Sequence, residues 1–390
     1  MRRKVCLFVS LIAAWAQQPA DRAARLHRSL LIIDTHNDVT SRTVQGFDIG
    51  KPDGKGHTDL ARLRAGNVGA VFFSAYVAAS YAAQGRAAHR ALEMIDTIRY
   101  DIVERYPRDF LLALTAADIE RAHREGKIAA LIGIEGGHAI EDNLRLLRNF
   151  YRLGVRYMTL THSNTNNWAD SSGDEDDPQV KRHNGLTAFG RQVVGEMNRL
   201  GMIVDISHVS DKTFWDVLDA SRAPVMASHS SCRALSNIPR NMSDEMIVAL
   251  AKKGGVIQIN FGCEFLSQAS AAASPWANRD LARKLRAIAD REARAEAARK
   301  AAAAMPRARL EDVVAHIDHV VKLAGVDAVG IGSDFDGVGC TPEGLEDVSR
   351  FPNLTRALLE RGYSESDIRK IYGGNTLRLL RAVERAAGVH

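Results

Sequence analysis

Leu30-Leu31-Ile32-Ile33-Asp34-Thr35-His36-Asn37-Asp38 is an apolar run that closes on His-x-Asp. In an extended strand successive side chains alternate faces, so His36 and Asp38 point the same way at the strand's C-terminal end. An imidazole beside a carboxylate suits zinc and similar divalent ions. The tripeptide alone fits a polar loop after a buried strand equally well, so other parts of the chain have to supply further ligands.

Working outward from residues 30–35, seven more β-rich apolar runs follow at 68–77, 128–134, 155–161, 202–207, 223–228, 255–261 and 328–333, each leading into a stretch of helical character. Strands that are apolar along nearly their whole length and alternate with helices predict a parallel sheet covered on both faces. Eight of them predict a closed (β/α)8 barrel of the TIM type, a single α/β domain spanning 17–390, and not an open doubly wound sheet. Leu310, Val313, Val314, Ile317, Val320 and Val321 recur at helical spacing just before the last strand, with Glu311 and Asp312 in the first turn, where carboxylates favour the helix dipole. An Ala/Arg-rich insert after strand seven, about 266–309, is broken at Pro275 and Pro306. Its thin stripe of Leu281, Leu285 and Ile288 predicts an exposed helix lying over the barrel, a solvated appendage more readily than a partner site. The polar, acidic loop at 164–184 is long for a compact domain, which favours an active-site loop over a surface excursion.

Met1-Arg2-Arg3-Lys4, the apolar stretch 5–16 and the ending Ala14-Trp15-Ala16 have the three parts of a signal peptide, with an apolar core too short to span a bilayer. The expectation is a signal at 1–16 and export to a periplasmic or extracellular compartment, with membrane contact only through an uncleaved N-terminus. Removing 1–16 takes away three basic groups and no acidic one, lowering the excess of Lys and Arg (52) over Asp and Glu (47) from +5 to +2. With no basic cluster elsewhere, nucleic acid is excluded as a partner. Cys232, Cys263 and Cys340 then remain, enough for at most one internal disulfide.

In a barrel of this type the active site is built at the C-terminal ends of the strands. Six of the eight runs deliver a titratable residue there: His36 and Asp38, Glu135, His162, His208, His229 and Asp334. The set fits two metals, with His36, Asp38, His208 and His229 as terminal ligands and Glu135 as the bridge, since a carboxylate has two oxygens to share. Glu135 paired with an arginine for structure alone is the costlier arrangement at a buried strand end. His138 is expected to stabilise its loop, and His316 and His319 to be solvent-facing or structural. Trp168 and Asp170 either line the site or anchor the acidic loop.

These residues resemble the membrane (renal-type) dipeptidases, a metallopeptidase branch of the amidohydrolase superfamily. The matching stretches are Ile33-Asp34-Thr35-His36-Asn37-Asp38, Gly133-Ile134-Glu135-Gly136-Gly137-His138, Leu160-Thr161-His162-Ser163-Asn164, Asp205-Ile206-Ser207-His208-Val209-Ser210, Ser228-His229-Ser230-Ser231, Pro239-Arg240-Asn241-Met242 and Gly332-Ser333-Asp334-Phe335-Asp336-Gly337. They run in order over essentially the whole chain after the signal. The resemblance implies two Zn2+ per chain, one held by His36, Asp38 and Glu135, the other by Glu135, His208 and His229. It further implies that His162 and Arg240 contact a dipeptide or small amide substrate, that Asp334 moves protons, and that the protein forms a homodimer, as relatives often do. Asp336 is a rival for the role of Asp334, and Gly262 stands where some relatives carry an aromatic residue. Competing readings are another hydrolase of the superfamily acting on N-acyl amino acids or lactones, and a secreted binding protein that keeps the metal without catalysis.

Overall fold

Each of the eight apolar runs contributes one strand to a single parallel sheet. In the computed structural model, which describes residues 19–388 apart from 289, the strands are β1 (Ile32–Asn37), β2 (Val68–Tyr76), β3 (Ile128–Glu135), β4 (Val155–Thr159), β5 (Ile203–Asp205), β6 (Met226–Ser230), β7 (Val256–Ile259) and β8 (Val329–Ile331). Neighbours in sequence are neighbours in space. The ring closes between β1 and the chain after β8 through a parallel bridge of Asn37 with Phe335, where Asp38 N donates to Phe335 O (2.8 Å) and Asp334 N to His36 O (3.0 Å). The expected (β/α)8 TIM-type barrel is therefore the observed fold. The segment expected to be a signal, 1–16, lies outside the described residues.

Apart from Tyr76, every residue of the eight strands is buried, which is why the strands read as continuous apolar runs. One apolar cluster gathers Ile33, Phe72, Leu131, Tyr157, Ile203 and Met226 and includes Leu377 and Leu380 of the C-terminal helix Asn375–Ala386. A second joins alternate strand residues such as Val71, Ile132, Val204 and Ile257 to the helices outside, among them Val313, Ile317 and Val320 of the helix Leu310–Ala324. Gly133 has one clear packing reason: a Cβ there would lie 2.0 Å from the ring of Tyr157. That opening lets Tyr157 reach the nitrogen of His36.

Three details depart from the sequence reading. A three-residue strand, Phe110–Leu112, pairs in parallel with β3 outside the ring; it is too short to announce itself by periodicity. β1 continues to Asn37 because that residue is paired on both sides, with Phe73 of β2 and with Phe335. β5 and β8 stop after three residues, and the chain turns soon afterwards through His208 (φ 69) and Asp334 (φ 60). A non-glycine residue in that left-handed region costs of order 1–3 kcal/mol and is a feature of functional sites.

Among its described residues the insert forms three helices, Gln268–Ala273, Arg279–Ala287 and Arg291–Ala303. The break at Pro275 brings Trp276 onto Phe265, ring centroids 6.2 Å apart. The stripe residues Leu281, Leu285 and Ile288 are partly buried, and Arg279 pairs with Asp176 of the acidic loop at 3.2 Å. Cys263 and Cys340 form a disulfide that ties the loop after β7 to the loop after β8, while Cys232 is buried as a thiol. No helix among the described residues is long and apolar enough to cross a membrane.

Candidate metal centre

Glu135, the last residue of β3, points its two oxygens in different directions. Oε2 stands 3.6 Å from His36 Nε2, and Oε1 stands 3.0 Å from His208 Nε2 and 3.3 Å from His229 Nε2. On the first side Asp38 Oδ2 lies 3.1 Å from His36 Nε2. Ligand atoms bound at ~2.1 Å in a tetrahedral array stand ~3.4 Å from one another, so these spacings fit donors converging on cations. All five expected ligands meet around one carboxylate. His162 and Asp334 are also in reach: the ligand atoms of His36, Glu135 and His229, of Glu135, His162 and His208, and of His36, Asp38 and Asp334 each lie within 4.8 Å of one another.

The hydrogen bonds behind the ring nitrogens test whether these histidines can bind metal. Ser228 Oγ donates to Asp205 Oδ2 (2.6 Å), so it accepts from His229 Nδ1 at 2.7 Å. That fixes the tautomer with the lone pair on Nε2, the nitrogen facing His208 Nε2 at 3.0 Å. His36 Nδ1 bonds Tyr157 Oη at 2.7 Å, leaving a buried Nε2 without a hydrogen-bond partner. Asp205 is itself gripped by Thr159 Oγ1, Ser228 Oγ and the backbone N–H groups of Ser207 and Ser228. Asp34 plays the same part under β1, accepting from Ser333 Oγ and Ser333 N.

Electrostatics agree. Burial, then the charges of Arg240 and a neighbouring imidazole, hold His208 and His229 well below the usual histidine range, so both are neutral donors. Burial raises Glu135, but His36, His162, His208 and His229 outweigh it and keep the carboxyl ionised. His36 is drawn well up against burial by Tyr157, Asp38 and Glu135, and burial lifts Asp334 with Asp38 and Glu135 adding to it. Protons thus balance the crowded carboxylates here, and divalent cations would take over that task. The donor set fits a two-metal centre.

The centre opens into a cavity of about 340 Å³ whose wall includes Asp38, Glu135, His162, His208 and Asp334. Asn260 Nδ2 donates to Asp334 Oδ2 at 2.8 Å and fixes that carboxyl. Gly337 is the second glycine with a steric reason, since a Cβ would lie 2.2 Å from Asp334 Oδ1 and 2.4 Å from Asp38 Oδ2. Asp336, the rival, is engaged elsewhere: its Oδ1 accepts from His57 N (2.9 Å), and Arg42 Nη1 lies 3.8 Å away. Arg240 is 3 % exposed, with Nη1 donating to Ser230 Oγ, Nη2 to His229 O, and Nε without a partner. Its guanidinium lies 5.6 Å from the ring of Phe265, and burial lowers its pKa to about 10. His138 binds Val77 O (2.8 Å) and stays out of the ligand set, as expected. Asp170 accepts from His183 N and Gly185 N, and Trp168 is fully buried, so both anchor the acidic loop.

Tyr157, Asp34, Asp205, Ser228 and Asn260 escaped the sequence reading although they orient the site. Their signal was present as polar residues inside apolar strand runs. Glu264 and Trp276 of the cavity wall carried none, because they sit outside the strands.

Comparison with known proteins agrees with this site. The membrane dipeptidase model, peptidase family M19, matches residues 20–389. The chain is 37% identical over 382 residues to dipeptidase verJ of Clonostachys rogersoniana, covering 94% of this chain and 87% of that protein. It superposes on the probable dipeptidase PvdM of Pseudomonas aeruginosa with a TM-score of 0.83 at 29% identity, over 96% of this chain and all of that one. A metallopeptidase of Rhodobacter sphaeroides, solved with a phosphinate mimic of the dipeptide L-Ala-D-Ala, gives 0.74 at 28% identity, over 91% of this chain and 99% of that one. A carboxylate shared between two groups of histidines at a barrel mouth and a family match along nearly the whole chain lead to one conclusion: this protein belongs to the membrane dipeptidases, peptidase family M19.

Proposed function

We propose that the protein is a two-zinc hydrolase of dipeptides that accepts a D-residue in the second position. The observation that carries the metal count is Glu135, with one oxygen toward His36 and the other toward His208 and His229. The all-nitrogen and oxygen donor set suits zinc, and the D-residue follows the dipeptide mimic bound by the Rhodobacter sphaeroides relative.

The residues divide the work. His36, Asp38 and Glu135 would hold one ion, and Glu135, His208 and His229 the other; bound ions supply an acidified water and polarise the scissile carbonyl. Asp334, held by Asn260 and with its carboxyl lifted by burial, takes the proton of the attacking water and returns it to the leaving amine. His162, kept neutral by burial, donates to the oxyanion as it develops. Arg240 is a buried cation with an unused Nε–H, suited to the free carboxylate of the second residue. Longer peptides lack a carboxylate at that place, which limits the substrate to two residues. Export is the reading that the segment 1–16 and the Cys263–Cys340 disulfide support together.

Stripping the metal with a chelator is expected to abolish hydrolysis of a library of dipeptides with L- and D-residues in second position, and two equivalents of zinc to restore it. Activity in metal-free protein, or full recovery at one equivalent, would sink the two-zinc mechanism.

A further inference from the structure

Five carboxylates line the cavity: Asp38, Glu135, Asp334, Asp336 and Glu264; the same wall has no lysine or arginine. Four have partners already described, either the metal ligands, Asn260, or the His57 backbone with Arg42. Glu264 differs: no basic side chain among the described residues pairs with it, and its Oε2 accepts no hydrogen bond. It sits on the short turn Cys263–Leu266 between Gly262 and Phe265, and the Cys263–Cys340 disulfide holds that turn against the loop after β8. Burial raises its carboxyl above the usual range, the mark of an acid with no cation beside it.

We infer that Glu264 is a specificity-determining residue that selects dipeptides whose second residue has a long cationic side chain of the lysine class. Phe265 joins the two ends of the argument: its ring lies next to Arg240, which would hold the carboxylate of that second residue, and it follows Glu264 on the cavity wall. A substrate anchored at Arg240 lays its second side chain along this wall. The methylene stem then packs on Phe265 and Trp276, whose rings stand 6.2 Å apart, and the ammonium meets Glu264. An ammonium pairs with that half-buried carboxylate, whereas a neutral side chain leaves it unpaired. Such substrates are products of proteases or peptidoglycan hydrolases that leave a lysine-like residue at the new carboxyl end.

The inference rests on the dipeptidase reading, and the test separates the two. Zinc-loaded wild type is assayed on alanyl-lysine, alanyl-norleucine and alanyl-glutamate, norleucine being the uncharged match of the lysine chain. The expected kcat/KM ratio of lysine to norleucine is at least about tenfold, falling to near one in Glu264→Gln. Glu264→Lys is expected to prefer alanyl-glutamate. Each ratio compares two substrates in one protein, so a general loss of activity cancels. A wild-type ratio near one, an unchanged ratio in Glu264→Gln, or no gain on alanyl-glutamate in Glu264→Lys would overturn the inference. No turnover of any of the three by zinc-loaded wild type would overturn the dipeptide reading and this inference with it.

Discussion

His229 and His316 are both buried to 0 % exposure, and burial holds both below the usual histidine range, yet they do opposite work. At His316, on the helix outside the barrel, Nδ1 accepts from Cys232 N and Nε2 donates to Leu266 O, each at 3.0 Å. Both nitrogens are satisfied by backbone, and the ring is complete. At His229 the Ser228–Asp205 relay takes the Nδ1 proton and aims a bare lone pair at another imidazole and a carboxylate. A lone pair facing a carboxylate oxygen at 3.3 Å is costly unless something positive lies between them. Burial therefore does not distinguish a ligand from a structural histidine; the partner of each nitrogen does.

Substitutions can break that contrast. His229→Ala is expected to lose about one metal equivalent and to lower turnover by roughly 10³-fold or more, the largest effect; full metal content by mass spectrometry would place His229 outside the ligand set. Asp334→Asn is expected to keep both metals while turnover falls ~10²–10⁴-fold, the range of a lost general base. Metal loss in that variant would make Asp334 a ligand, which its 4.8 Å grouping with His36 and Asp38 permits geometrically. Arg240→Met is expected to cost about 10²-fold on dipeptides with a free carboxylate and far less on their amides, and equal losses on both would contradict the anchoring role.

The smallest effect on activity belongs to His316. His316→Asn keeps an acceptor for Cys232 N but strands Leu266 O, so catalysis should persist while stability at pH 7 drops by about 1–3 kcal/mol. The wild-type ring titrates at about 4 when folded against 6.5 when unfolded. Its stabilisation is present in full above pH 6.5 and is lost as pH falls from 6.5 toward 4, by about 3 kcal/mol in all. Urea unfolding across that window should show a flatter profile for the variant, and an unchanged slope would remove His316 from the acid response.

The barrel was legible because its strands are buried on both faces and so appear as uninterrupted apolar runs. The same property made the rim legible: six of the eight runs end where a titratable residue begins, from His36 to Asp334. The residues that aim the ligands were harder to see. Asp34, Asp205 and Ser228 lie inside those runs, and one polar residue within a strand looks the same whether it orients an imidazole or fills a gap. Asp334 and Asp336 are two positions apart in one loop, and only the left-handed turns at both, φ 60 and φ 67, decide which meets Asn260 and which meets His57.

The sequence by itself therefore determined the fold class and the candidate residues at the barrel rim, Glu135 among them, since both follow from periodicity and from which residue types end the strands. Only the tertiary structure decided which histidine nitrogens are bare, that Cys263 pairs with Cys340 and leaves Cys232 buried, and that Glu264 and Trp276 reach the cavity wall. Those depend on contacts between residues far apart in the chain, set by loop paths and hydrogen bonds that no local pattern encodes.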